Sequence, residues 1–178
     1  MMSSRLLPAF FLALSLALLP SCATKKATEQ APPVPTALQK LIAERLQVGR
    51  QVAWIKYRDS LPVQDKKREA ELMDSLVAQG QAIGLPEDTV RRFFGSQIIA
   101  SRILQTQLIG SWKKGSTLPA YPPMDLRRDI RPKLDRISAE MLRQLAAGPQ
   151  APTTPTRAYL RSQGFSPAVS SAASSGGF

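Results

Sequence analysis

The apolar positions of this chain repeat every three or four residues in four long runs, the spacing of one helix face. The first run is Leu38, Leu41, Ile42, Leu46, Val48, Val52 and Ile55, which predicts a helix from the N-cap candidate Thr36 to about Ser60. A second runs through Leu72, Met73, Leu76, Val77 and Ile83, from the N-cap type Asp65 to the stop at Gly84. A third begins at Pro86, a favoured first-turn residue, and reaches about Lys113. Its early acids, Glu87 and Asp88, and its late bases, Lys113 and Lys114, match the helix dipole. The fourth spans about Asp125 to Ala147 through Leu126, Ile130, Leu134, Ile137, Met141 and Leu145, with Pro132 placed to kink its start. No segment alternates with period two over a useful length. The expected fold is therefore all-α, a small bundle of about four main helices.

Prolines divide the remainder. Residues 1–22 read as a secretory signal, with Arg5 followed by the apolar stretch Leu6 to Leu19, too short to span a bilayer well. That stretch ends in Leu19-Pro20-Ser21-Cys22, which resembles a bacterial lipobox and makes Cys22 the candidate lipidation site. The other reading is a plain signal peptide cut nearby, with Cys22 incidental. Residues 23–35 form a Pro-rich linker, residues 36–148 the helical domain, and residues 149–178 a Pro- and Ser-rich tail. The stretch Thr156–Ser162 is expected to add at most a turn or two of helix. The Ser, Ala and Gly run from Ser166 is expected to be disordered.

Composition narrows the chemistry. Among 178 residues there are 24 Lys and Arg, 13 Asp and Glu, one Cys and no His. The lack of His excludes Ser-His-Asp and Cys-His catalysis and any His-ligated metal site. A single Cys excludes an internal disulfide and a Cys-based zinc site, so no cofactor or metal is expected. The formal charge of +11 leaves an anionic ligand, an anionic partner or a merely solvated basic surface open.

The apolar stripes are interrupted by polar groups. Leu38, Ile42, Arg45, Gly49, Val52 and Lys56 step by four and three, which puts Arg45 and Lys56 on or beside the core-facing stripe. Eleven residues of helix bring their side chains back to within about 20° of one direction, about 16 Å apart along the axis. Ser101 and Gln105 lie one turn apart on the stripe that includes Phe94, Ile98 and Leu108. Arg68 follows Asp65 in a first turn, where a cation opposes the dipole and so serves something other than helix stability. Any one of these residues is ordinary, because long cations snorkel and buried hydroxyls and amides pair locally. Together they predict a small, buried anionic ligand, since several cations do not share an apolar interior without one.

The segments Ala43-Glu44-Arg45-Leu46, Val52-Ala53-Trp54-Ile55-Lys56, Leu61-Pro62-Val63 and Asp65-Lys66-Lys67-Arg68-Glu69, with Phe94 to Gln105, resemble an all-helical chorismate mutase. More narrowly they are similar to the secreted subclass of that family. The resemblance covers about Thr36 to Lys114 and, loosely, the fourth helix. It implies the rearrangement of chorismate to prephenate, a pericyclic reaction that needs no nucleophile, metal or general base. What it needs is a folded substrate conformer and stabilisation of the charge growing on the ether oxygen.

By this resemblance Arg45 is a carboxylate-binding arginine, and Lys56 reaches both a carboxylate and the ether oxygen. Gln105 is the second donor to that oxygen, and Ser101 a hydroxyl donor to a carboxylate. Arg68 is an active-site arginine, and Asp65 and Glu69 receive the substrate hydroxyl, although Asp65 is equally read as only an N-cap. Cytosolic dimeric members take a further arginine from a partner's N-terminal helix. The matching position here is Thr28, in the linker. Secreted relatives use a fourth-helix cation instead, for which Arg136 is chosen over Arg143. Each site then lies within one chain, and a homodimer is not a catalytic requirement.

Two other classes compete. A non-enzymatic periplasmic helical lipoprotein, an adaptor or envelope component, gives no reason for Arg45, Lys56, Ser101 and Gln105 to converge. A nucleic-acid binder rests on charge alone, with few aromatics, no binding motif and an export signal against it. Expected partners are thus a small-molecule substrate and no nucleic acid, with membrane contact only through a lipid on Cys22. The expected location is the periplasm.

Overall fold

The computed structural model describes residues 35–148 and 153–176. The signal-like stretch, Cys22 and nearly all of the linker, Thr28 included, lie outside the described residues. Among the described residues the structure is all-helical, as the periodicity predicts: α1 (Ala37–Arg58), α2 (Lys66–Gln81), α3 (Glu87–Lys113), α4 (Arg131–Ala146), α5 (Thr153–Ser162) and α6 (Pro167–Ala173).

Local chemistry sets the helix starts. Thr36 caps α1 with a full capping box: its hydroxyl accepts from the Gln39 amide at 3.2 Å, and the Gln39 side chain accepts from Thr36 N at 2.9 Å. Asp65 caps α2 by accepting from Arg68 N at 3.0 Å. The fourth helix does not begin as a regular α-helix. Leu126–Ile130 forms one π-helical turn, in which Arg131 N donates to Leu126 O. Pro132 explains it. Proline has no N–H for the i−4 carbonyl, and its ring crowds that carbonyl, so the chain winds wider just before it.

In the main core cluster Ile42, Leu46, Phe93, Phe94, Ile137 and Met141 are nearly or fully inaccessible. Helices α1 and α3 form its spine and run in the same direction. Gly49 faces Leu104 and Ser101, and further along Ala53 clusters with Ile109 and Trp112. That end is closed by aromatics, with Trp54 edge-on to Trp112 at 6.0 Å. Helix α2 packs on α3, and α4 packs on α1 and α2. Ile83, counted above in the second apolar stripe, lies past the end of α2 and is 45% exposed.

The C-terminal segment departs from expectation. The run from Ser166 is ordered as α6, capped by the Ser166 hydroxyl and packed on α3. Val169, Ser170 and Ala173 are fully buried there, and Gln97 Nε2 donates to Ala173 O at 2.8 Å. Helix α5 is also longer than the turn or two expected, with Leu160 fully buried. Low sequence complexity suggested disorder. Small side chains are instead what a close approach needs: a Cβ on Gly176 would lie 2.9 Å from Phe93 Cα. Arg50 stacks 5.0 Å above the Phe165 ring and donates to Gly164 O at 3.2 Å, tying the link between α5 and α6 to α1.

Candidate active site

The close seam between α1 and α3 positions the polar groups. A Cβ at Gly49 would stand 3.4 Å from Leu104 Cδ2 and 3.6 Å from Ser101 Oγ, so the glycine lets Ser101 approach the α1 backbone. One turn on, Gln105 is 5% exposed and donates from Nε2 to Ser101 Oγ at 2.9 Å. Its Oε1 has no hydrogen-bond partner. Arg45, on the same side of α1 as Gly49, is also 5% exposed, and its Nε has no partner. Burial lowers its pKa to about 10, well below the ordinary arginine range, against an opposing pull from Asp135. The guanidinium therefore stays charged at neutral pH.

Below this seam lies a cavity of about 290 Å³ between α1, α2, the α1–α2 loop and the start of α4. Three cations line it, Lys56, Arg68 and Arg131, together with the carboxylates of Asp65 and Asp135 and the apolar Val52 and Leu72. Lys56 is half-buried and donates from Nζ to Val63 O at 2.5 Å, which orients the ammonium and holds the loop. Burial lowers its pKa, opposed by the charges of Glu69 and Asp65. Asp65 both caps α2 and lines the cavity, so its two readings are compatible.

Of the residues singled out in the sequence, the cavity wall thus brings together Lys56, Asp65 and Arg68. Arg45, Ser101 and Gln105 are not on that wall; Ser101 lies against Gly49 in the α1–α3 seam with Gln105 bonded to it, and Arg45 is one turn before Gly49 on α1. Glu69 sits beside it, 3.9 Å from Arg102, close enough for its charge to act on Lys56.

Arg136 does not reach the site. Its side chain is 65% exposed and binds Glu44 Oε1 at 2.7 Å on the outer seam of α1 and α4. The fourth-helix cation on the cavity wall is Arg131, five residues earlier and so on another face of the helix. The sequence held a signal for it. Pro132 read as a first-turn proline puts Arg131 at a helix start, where a cation opposes the dipole, the same argument that singled out Arg68. Asp135 lies one turn after Arg131 and carries no signal of its own. Among the described residues no cluster of His, Cys, Asp or Glu is suited to hold a metal, and no helix is long and apolar enough to cross a membrane.

Fold and cavity define an all-helical protein with a cavity in which basic side chains outnumber acidic ones. Residues 35–121 match the family model of chorismate mutase type II. The chain is 29% identical to a secreted chorismate mutase of Yersinia pestis over 106 residues, which is 60% of this chain and 56% of that protein. It is 30% identical to a secreted chorismate mutase of Mycobacterium tuberculosis over 103 residues, 58% of this chain and 51% of that one. The match thus spans little more than half the length of these relatives. Among solved structures, a chorismate mutase from Burkholderia phymatum aligns with a TM-score of 0.69 at 25% identity, over 76% of this chain and 90% of that chain. The secreted chorismate mutase structure from Yersinia pestis shares the fold, with a TM-score of 0.68 at 24% identity over 76% and 91% of the two chains.

Proposed function

We propose that this protein is an exported chorismate mutase that converts chorismate to prephenate within a single chain. The observation that carries the reading is the convergence of Lys56, Arg68 and Arg131 on one small cavity, with Arg45 and Gln105 buried and Ser101 half-buried nearby on α1 and α3. Chorismate is a dianion with an ether oxygen and a ring hydroxyl. In the rearrangement the ether C–O bond breaks as a new C–C bond forms within the same molecule, so no atom is gained or lost. The protein's work is to hold the folded conformer and to stabilise the charge that grows on the ether oxygen.

In this reading Arg45 pairs with one carboxylate through its planar guanidinium. Ser101 donates to a carboxylate, and Arg68 and Arg131 supply the remaining positive charge. Asp65 and Glu69 accept from the ring hydroxyl. Lys56 and Gln105 donate to the ether oxygen, and these are the interactions that strengthen toward the transition state. Gln105 serves at any pH, because an amide donor carries no titratable proton. Burial that removes water from Lys56 makes its charge more effective.

Export is supported by the signal-like residues 1–22 and by the word "secreted" in the names of the relatives. Lipidation of Cys22 is the finer part of the reading. The mass of the mature N-terminus after expression in a bacterium with an envelope decides it, a diacylglyceryl-modified Cys22 being the expected result.

The activity is tested by ultraviolet absorbance of chorismate incubated with the purified mature protein. Loss of chorismate well above the uncatalysed rate, with prephenate appearing in equal amount, is expected. Loss no faster than in buffer would sink the reading.

A further inference from the structure

The charges of the bundle are not spread evenly. Helix α2 runs against α3, since Glu69 faces Arg102 at 3.9 Å and Asp74 faces Arg91 at 3.7 Å. Helix α4 runs against α1, since Arg136 binds Glu44 at 2.7 Å and Arg58 Nη2 donates to Met124 O, just before the π-helical turn, at 3.2 Å. The ends of α1 and α3 and the starts of α2 and α4 therefore meet at one end of the bundle. Lys66 and Lys67 open α2, Lys113 and Lys114 close α3, and Arg127 and Lys133 stand around the start of α4. All six are exposed, and among the described residues none has an ion-pair partner. The aspartates of this end are engaged. Asp59 holds Arg58 at 2.6 Å, Asp129 holds Arg128 at 3.2 Å, and Asp65 and Asp125 cap α2 and the π-helical turn. The opposite end is mixed, with Asp74 and Glu87 on Arg91 and Glu140 on Arg143.

Apolar groups accompany this charge. Leu61 in the α1–α2 loop and Leu118 in the α3–α4 loop are 42% and 47% exposed. Leu61 also lines the cavity, but Leu118 does not, so the ligand site gives no reason for its exposure. We propose that this end of the bundle docks on an anionic lipid bilayer, its unpaired cations facing the headgroups and Leu118 entering among them. Basic side chains around an exposed apolar one are the chemistry of interfacial binding. Each Lys or Arg within a Debye length of an anionic bilayer adds to the attraction. The contact is peripheral, because among the described residues no helix is long and apolar enough to cross a membrane. It needs no lipid on Cys22 and rests on no part of the chorismate mutase reading. A nucleic acid would answer the charge but offer Leu118 no apolar surroundings.

The test is cosedimentation of the mature protein carrying Cys22→Ser, which accepts no lipid, with vesicles of phosphatidylcholine alone or mixed with phosphatidylglycerol. Binding to the mixed vesicles at about 0.1 M salt, none to phosphatidylcholine, and release at about 1 M salt are expected. Lys113→Glu combined with Lys114→Glu is expected to weaken binding at least about tenfold. Leu118→Ser, in an exposed loop, is expected to weaken it at least about threefold, and it keeps the test open if the double variant does not fold. The same reversal at the other end, Lys40→Glu with Arg92→Glu, is expected to stay within about twofold of the parent. Equal losses from the two ends would mean that net charge alone drives binding, and would overturn the docking surface. Retention that ignores Leu118→Ser and is matched on double-stranded DNA assigns this end to polyanions at large and overturns the lipid reading. Failure to bind phosphatidylglycerol vesicles overturns it outright.

Discussion

Arg136 Nη2 lies 2.7 Å from Glu44 Oε1, across the outer seam between α1 and α4. The bridge is solvent-facing, and exposed pairs contribute about 0–1 kcal/mol. Arg136→Ala is expected to leave kcat/KM for chorismate within about threefold of the parent and to lower stability by less than about 1 kcal/mol. Arg131→Ala, which takes a cation from the cavity wall, is expected to lower kcat/KM by at least about tenfold with helical circular dichroism intact. The reverse ranking would return the fourth-helix role to Arg136.

Lys56 and Gln105 separate by their protons. Lys56→Ala and Gln105→Ala are each expected to reduce kcat about a hundredfold or more, the usual effect of deleting a donor to developing charge. Gln105→Glu is the sharper variant. A carboxyl donates only when protonated, so its activity should rise as pH falls, whereas the parent stays flat over the same range. A pH-independent Gln105→Glu enzyme would remove Gln105 from the ether oxygen.

The alkaline limb follows from Lys56. Burial holds its pKa below the ordinary 10.5, so the ammonium is lost earlier than that of a free lysine. A plot of log(kcat/KM) against pH is expected to turn down below 10.5 on that account. Lys56→Arg carries its charge past this limb, so any residual activity there should lack the downturn. The stability sign is the opposite one. The unfolded chain binds the proton more tightly, so the cost of burying the ammonium is full below the folded pKa and is relieved as pH rises from that value toward 10.5.

Helix α6 is structural cover for α3, and α5 packs on α6 and α1. Deleting residues 149–178 uncovers the face of α3 that carries Phe93 and Gln97, and it removes Leu160, Phe165 and Val169, all at most 4% exposed. Burial of each such side chain contributes about 1.5–3 kcal/mol. The truncated chain is expected to lose most of its cooperative thermal transition, measured by circular dichroism. An unchanged Tm would mean that α5 and α6 are dispensable.

The legible part of this protein was local. Apolar spacing, caps and prolines determine four long helices, because a helix records its buried face every three or four residues. The same spacing exposes Arg45 and Lys56 as polar intrusions on a core-facing stripe, and Ser101 and Gln105 as their counterparts on α3. Two kinds of information were missing. Ser166 to Gly176 has no charge and few large side chains, so its composition is that of a linker; its order comes from what it meets on α3, a property of α3's surface as much as its own. Arg131, Asp135 and Arg136 lie on one short stretch of α4, and which of them faces inward depends on the rotation of α4 about its axis. That rotation is set by the π-helical turn before Pro132 and by the burial of Ile137, Met141 and Leu142 in the core. The sequence by itself determined the helices, the cationic character of their shared face and the resemblance to one family. Only the tertiary structure decided which fourth-helix cation lines the cavity, because that follows from the packing of α4 against α1 and not from the pattern of either helix alone.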